Sequence, residues 1–243
     1  MNGHLRITRV VNACVLLQFG DEAVLTDPFM SKHRWIRFNE PIGLSASDLP
    51  RLAAILGGHG VFDHWWPASL ATYRHKSETP CYVATRGMAR SGGSAGFANI
   101  EVVGWGARRA PSAGLSLEVV CAGRRLGWRA NSYVIASPAA RVFIGTEALE
   151  LAPLRHYGMT HQPVDVALLP IDGAAVVGKR LVMTLEEAIE GARVLGAKTL
   201  VPIHYSLKPF GPLTARIDPL PRSLEADGLK VLRLATGSPW DWG

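Results

Sequence analysis

Three short stretches of this chain carry side chains able to hold a metal ion or move a proton. In Leu56-Gly57-Gly58-His59-Gly60-Val61-Phe62-Asp63-His64-Trp65-Trp66, two imidazoles and a carboxylate lie within one turn. Farther on, Thr146-Glu147 follows Gly145, and His204 follows the run Leu200 to Ile203. Imidazole nitrogen and carboxylate oxygen are ligands for zinc and similar divalent ions, and a short rigid turn can aim several at one point. Taken alone, the first stretch fits equally a solvated loop or the cap of a following helix. Partners from elsewhere in the chain are needed to make it a site.

The elements around these residues set where they go. The apolar run Leu52 to Leu56 reads as a buried strand broken by two glycines, with Pro67 near the start of a helix continuing over Ala68 to Arg74. His59, Asp63 and His64 then sit at the carboxyl end of a strand, where open α/β sheets gather their chemistry. Leu5 to Phe19 and Ala23 to Thr26, joined by Gly20-Asp21, read as a hairpin. Asp27, before Pro28, ends it and can orient a ligand from behind. Ser31 to Pro50 reads as an irregular loop long enough to act as a lid.

Further strands are expected at Cys81 to Ala84, Ile100 to Val103, Leu115 to Val120, Ser132 to Ala136 and Arg141 to Ile144. The Gly- and Ser-rich stretch Arg90 to Ala98 and the stretch Cys121 to Arg129 read as loops. Val164 to Ile171 is a strand ending at Asp172-Gly173. Thr184, with Glu187 three residues on, makes a capping box for a helix to Leu195 that Gly196 stops. Strands at Thr199 to Ile203 and Val231 to Leu234 complete the order. The second half repeats the plan of the first, with a break near Arg108 to Ala113 and no linker. A single layered α/β domain over residues 1–243 is the economical reading.

Composition bounds the rest. Hydrophobic residues make up 48% of the 243 and charged ones 19%, which suits a packed domain and argues against disorder. Three widely spaced cysteines read as thiols of a reducing compartment. With no apolar run of membrane-span length and no signal-peptide plan at Met1 to Arg6, a cytoplasmic protein without a membrane partner is expected. The net charge of +6 is concentrated: Arg86 to Arg141 holds eight arginines and two acidic residues. Such an excess steers small anions. Aromatic residues do not interleave with it, so no nucleic-acid partner is expected. A homo-oligomer is allowed.

Together these pieces resemble the metallo-β-lactamase superfamily, in its branch of ascorbate-6-phosphate lactonase-like and phospholipase D-like hydrolases. The resemblance rests on Thr26-Asp27-Pro28-Phe29, the His59 to His64 turn, Gly145-Thr146-Glu147, Val164-Asp165 with Leu169-Pro170-Ile171, the Met183-Thr184 helix start, and Pro202-Ile203-His204-Tyr205. It implies a four-layer αββα sandwich with a metal site at one edge of two sheets. The family's turn is His-x-His-x-Asp-His, followed by a later histidine, a bridging aspartate after a glycine, and a final histidine.

This chain departs from that pattern. Val61 stands at the second turn histidine, Arg124 at the later one, and Glu147 comes one position after the bridging aspartate's place. Valine cannot ligate, so the resemblance implies a reduced site for one divalent ion, zinc first, with manganese or iron as alternatives. Asp63, His64 and His204 would hold it, with His59 and Glu147 as further candidates. Adjacent residues on a strand face opposite ways, so Glu147 reaches such a site only if the strand has already ended. Arg124 would replace the charge of the missing metal, and Asp63 would orient a water. The expected activity is hydrolysis of an ester, lactone or phosphodiester of an anionic small molecule. The alternative is an inactive family member that binds a ligand in the same cleft. Cys121 reads as a buried inert thiol, and His156 and His161, flanking Gly158-Met159 in a loop, as surface histidines, with all three as outside candidates for substitute ligands; Trp65-Trp66 reads as packing beneath the site, though one indole could wall an apolar pocket.

Overall fold

The computed structural model describes residues 4–33, 36–125, 127–176, 178–208, 223–226 and 228–243. Three apolar strands open the chain: β1 (Leu5–Val11), β2 (Cys14–Phe19) and β3 (Glu22–Thr26) form an antiparallel meander. The next three add in parallel, as β4 (Ala54–Gly57), β5 (Cys81–Val83) and, after α1 (Arg86–Ser94), β6 (Ile100–Val102). β4 lies between two parallel neighbours and is buried on both faces, which is why Ala54-Ile55-Leu56-Gly57 is continuously apolar.

The chain crosses to a second sheet between Val102 and Arg108, close to the expected break. β7 (Arg108–Ser112), β8 (Leu115–Arg125), β9 (Trp128–Ala136) and β10 (Arg141–Ile144) run antiparallel. After α2 (Leu151–Thr160), β11 (Val166–Pro170) pairs parallel to β10. A small hairpin, β12 (Ala175–Val176) and β13 (Lys179–Arg180), precedes α3 (Leu185–Val194) and β14 (Thr199–Ile203). β15 (Ser223–Ala226) and β16 (Leu229–Leu232) extend this sheet, and β17 (Pro239–Trp242) returns to pair with β1.

Three apolar layers hold the stack together. Ile7, Val15, Leu17, Leu56, Tyr133, Ile135, Ile144, Leu168 and Val201 meet between the sheets. Phe143, Leu169 and Leu200 pack on Leu154, Ala188 and Ala192 of α2 and α3. Leu25, Ile55 and Val83 pack on Trp65, Leu70 and Met88 on the opposite side. The result is the αββα sandwich that the resemblance implies.

Several local expectations are corrected. Arg90 to Ala98 is largely helix α1, capped by Thr85 Oγ1 accepting from the Met88 amide. Its glycine at 92 is there for space: a Cβ would come within 2.8 Å of Ile100 and 3.2 Å of Trp65. Gly158 lies in α2 for the same reason, since a Cβ there would meet the Val194 carbonyl of α3 at 1.8 Å. Ala68 to Arg74 is not a full helix; a single 3-10 turn, Pro67–Leu70, starts at Trp66 without a side-chain cap. Cys121 to Arg129 is mostly strand, because β8 and β9 continue as a long hairpin bulged between Cys121 and Arg124. The helix from Thr184 has both capping-box bonds, with Thr184 Oγ1 accepting from the Glu187 amide and Glu187 Oε2 from the Thr184 amide.

Candidate metal centre

Four strand ends converge at one edge of the sandwich. β3 ends at Asp27, whose Oδ1 accepts from the Gly58 amide at 2.7 Å just past β4. Gly58 must lack a side chain, since a Cβ would press on Thr146 at 2.5 Å. The turn that follows is closed by amides of His64 and Trp65 donating to the Val61 carbonyl. β10 ends at Ile144, and Thr146 then donates to the Asn131 carbonyl at 2.8 Å. β14 ends at Ile203, and the His204 amide donates to the Asn12 carbonyl at 3.1 Å.

Among the described residues, the non-glycine positions with positive φ are Asn12 (52°), Asp27 (38°), Thr146 (40°) and His204 (62°). Asp27, Thr146 and His204 lie at these strand ends, and Asn12 lies in the β1–β2 turn whose carbonyl accepts from the His204 amide. Such conformations cost of order 1–3 kcal/mol each and persist where surrounding structure over-determines them, as functional sites do.

The strain aims side chains inward. His64 Nε2 and His204 Nε2 face each other at 3.0 Å, with the two rings stacked. Asp63 Oδ2 lies 3.9 Å from the first and 3.5 Å from the second. Behind each imidazole stands a buried carboxylate. Asp27 Oδ2 is 3.1 Å from His64 Nδ1, and Asp172 Oδ2 is 3.1 Å from His204 Nδ1. With Nδ1–H donated to a carboxylate, each Nε2 presents its lone pair to the other. Two lone pairs at that distance repel unless a proton or a cation lies between them.

The donor set fits a metal ion. Ligand atoms of Asp63, His64 and His204 all lie within 4.8 Å of one another. Bonds of about 2.0–2.1 Å at tetrahedral angles would set two imidazole nitrogens about 3.3 Å apart, close to the separation here. Carboxylates that hold the rings from behind fix tautomer and orientation in metal sites generally. Next to this trio, His59 Nδ1 and Glu147 Oε2 are 2.7 Å apart, although not aligned as a hydrogen bond. Both nitrogens of His59 and Glu147 Oε2 are buried without a hydrogen-bond partner. Glu147 turns inward because β10 stops at Ile144, so the alternation of a strand no longer governs it.

Electrostatics follow from the crowding. Burial alone would pull the His64 pKa down, but Asp63 and Asp27 outweigh it and push it up to about 9. His204 is likewise raised against burial by Asp172 and Asp63. The Asp63 carboxyl, opposed by burial, is held far below the usual range by His64 and His204. Glu147 is lowered against burial by His59 and His64. In the metal-free protein a raised histidine contributes stability that is complete below its unfolded pKa of about 6.5 and lost as pH rises through its folded value. Thermal melts of chelator-treated protein should therefore fall in midpoint between roughly pH 6.5 and 9. The His64→Ala variant should show a shallower slope, keeping only the part that His204 contributes, and equal slopes in both would refute the assignment.

Other candidates lie elsewhere. Arg124 does not join the cluster: it is exposed on β8, with Nη1 3.4 Å from the Gly127 carbonyl across its own hairpin. A charge placed in solvent is screened and cannot stand in for a buried ion, so the expectation of charge replacement is corrected. His161 stacks on Tyr157 and pairs with Glu118 at the end of α2, and His156 lies within that helix. Cys14 and Cys81 are buried free thiols, and Cys121 is half-buried and free. Asp172 was not singled out from sequence. Its signal was the one that marked Asp27, a carboxylate ending a buried strand.

Two mixed sheets packed face to face, helices outside, and a His/Asp cluster at the edge where parallel strands end define the metallo-β-lactamase class of fold. The chain belongs to the beta-lactamase superfamily: the family model described as "Beta-lactamase superfamily domain" matches residues 22–205, from β3 through the residue after His204. A UPF0173 metal-dependent hydrolase of Rubrobacter xylanophilus is 30% identical over 227 residues, covering 88% of this chain and 87% of that protein. Another, of Methanoregula boonei, is 31% identical over 206 residues, covering 83% and 82%. Among solved structures, an isothiocyanate hydrolase from Delia radicum gut bacteria is similar with a TM-score of 0.73 at 19% identity, covering 97% of this chain and 98% of that one. A metallo hydrolase from Ignicoccus hospitalis gives 0.71 at 15%, covering 99% of both. Among the described residues, no helix is long and apolar enough to cross a membrane.

Proposed function

We propose that this chain is a metal-dependent hydrolase working with one divalent ion held by Asp63, His64 and His204. The observation that carries this reading is the convergence of two carboxylate-backed imidazoles and Asp63 on one point, within ligand-to-ligand distances of 4.8 Å. The names borne by the Rubrobacter and Methanoregula relatives agree with it. Bound there, a divalent ion supplies Lewis acidity and activates water at neutral pH. Two imidazoles and a carboxylate suit zinc first, and also iron or manganese.

The chain's own groups do the remainder. Asp27 and Asp172 hold the rings in the tautomer that leaves Nε2 free. Asp63 is the least buried of the trio, with 13% of its side chain exposed, and is placed to orient a water at the cleft. Glu147 and His59, paired only with each other, are the groups available as additional ligands or as acceptor and carrier of a proton. The substrate is an ester, lactone or phosphodiester of a small molecule. The presence of Val61 where the family has a histidine favours a second reading, an inactive member that binds an anion or other ligand in the same cleft without turnover.

Purified protein should carry close to one zinc, manganese or iron per chain by plasma mass spectrometry. It should hydrolyse 4-nitrophenyl acetate or bis(4-nitrophenyl) phosphate, losing that activity with chelator and regaining it with metal. Metal retained at stoichiometry with no hydrolysis of any ester, lactone or phosphodiester offered would favour the binding module. Metal-free protein that cannot be reconstituted would defeat the hydrolase reading and favour the binding module.

A further inference from the structure

Beside the turn that carries His59, Asp63 and His64 lies a cavity of about 780 Å³, lined by the residues between them and not by those three themselves. Its wall includes the backbone between His59 and Asp63, since Gly60, Val61 and Phe62 line it, together with Trp66, Met88 and Trp128. The volume falls in the range of small-molecule sites, which are mostly apolar with a few placed polar groups. Lys76 is the sole charged residue of this lining, and its ammonium is already tethered, donating to the Ala71 carbonyl at 2.8 Å. Other lining positions are small residues or the hydroxyls of Thr85, Ser91 and Ser94.

Two features show that the cavity is a built one. Its floor is fixed, because Trp65 Nε1 donates to the Met88 carbonyl and to Ser91 Oγ, pinning the ligand-bearing turn onto α1. Its rim leaves large apolar surface in water, with Phe62 40% and Trp128 58% exposed. Solitary exposed apolar side chains are ordinary, but two of them framing one apolar cavity mark a surface that a ligand covers. Val61 itself belongs to the wall: where the family pattern has a metal-binding histidine, this chain has an apolar contact.

We infer that this cavity is the substrate subsite for an apolar aromatic or alkyl body, neutral or carrying a single negative charge that Lys76 meets. The inference rests on the hydrolase reading for the word substrate, but not for binding itself. It narrows the expected anionic small molecule to one whose anchoring surface is apolar, because a polyanion would find one tethered ammonium and three aromatic walls.

Two measurements separate the subsite from the chemistry. Chelator-treated protein is titrated with 2-naphthoate, followed by tryptophan fluorescence, with inorganic pyrophosphate as the polyanionic comparison. Quenching saturable by 2-naphthoate but not by pyrophosphate is expected. Its affinity should drop about tenfold in Trp128→Ala and in Ala68→Trp, two changes at exposed lining positions that leave metal content intact. Metal-loaded protein is then assayed with 4-nitrophenyl acetate, butyrate and hexanoate, where kcat/KM should climb, at most roughly fourfold per added methylene. Binding of 2-naphthoate without turnover would leave the subsite standing and sink the hydrolase. Turnover that is flat across the ester series, with no binding of 2-naphthoate or with binding that both variants leave unchanged, would overturn the subsite and spare the hydrolase.

Discussion

His204→Ala should empty the proposed metal site and lower any ester or phosphodiester hydrolysis about a thousandfold or more, the scale of removing several kcal/mol of charge stabilisation. The size of the effect follows from the ligand count. Catalytic zinc sites keep three protein ligands, and without His204 only Asp63 and His64 are left of the trio. The remaining imidazole also loses its neighbour at 3.0 Å, so nothing compensates on that side. Asp172→Asn should act in the same direction but less, costing about 10–100-fold in metal affinity, because it loosens the ring without removing the ligand. Plasma mass spectrometry and the absorption of the cobalt-substituted protein read both variants directly. Full metal content with wild-type turnover in His204→Ala would place the ion elsewhere.

Why part of this centre was readable in one dimension and part was not has a physical answer. Asp63, His64 and His204 stood out because each follows an apolar run, and chemistry gathers where buried parallel strands end. Asp27 stood out for the same reason. Asp172 ends β11 in the same way, yet Asp172-Gly173 reads just as well as an ordinary turn. Only the pairing of β11 with β14 puts its carboxylate behind His204. The inward turn of Glu147 depended on where β10 stops, a boundary that local propensity leaves uncertain by a residue or two.

Helices α1 and α2 were hidden for a different reason. Glycine signals a break when only conformational freedom is considered. Gly92 and Gly158 are instead there so that Ile100 and the Val194 carbonyl can approach, which is a fact about neighbours contributed by other elements of the fold. The capping box at Thr184 had the opposite character, being complete within four residues, and its two hydrogen bonds are present. For Arg124, position along a family pattern does not fix position in space. The bulge between Cys121 and Arg124 continues the hairpin and leaves that guanidinium in solvent.

The second large effect concerns a charge that the chemistry does not touch. Arg9 is fully buried on β1. Its guanidinium donates to the Tyr205 hydroxyl, the Leu234 carbonyl, Ser206 Oγ and Glu40, and lies 4.2 Å over the Tyr205 ring. Ser206 Oγ donates to Glu40 and accepts from the Asn12 amide, and Asn12 in turn accepts from the His204 amide. One largely buried ion pair thus ties the loop carrying Glu40, the end of β14 and the strained turn at Asn12 to His204. Truncating one member of such a pair strands the other, which costs about 3–5 kcal/mol, whereas replacing both is far milder. Arg9→Met should therefore lower the melting temperature by about 10 °C, taking 2–4 °C per kcal/mol for a chain of this size. Arg9→Met combined with Glu40→Leu should recover at least half of that loss. Metal affinity of the single variant should weaken as well, because Ser206 and Asn12 lose the partner that fixes them against His204. A drop of less than about 2 °C in Arg9→Met, or a double variant as unstable as the sum of its singles, would show the pair to be incidental to the fold.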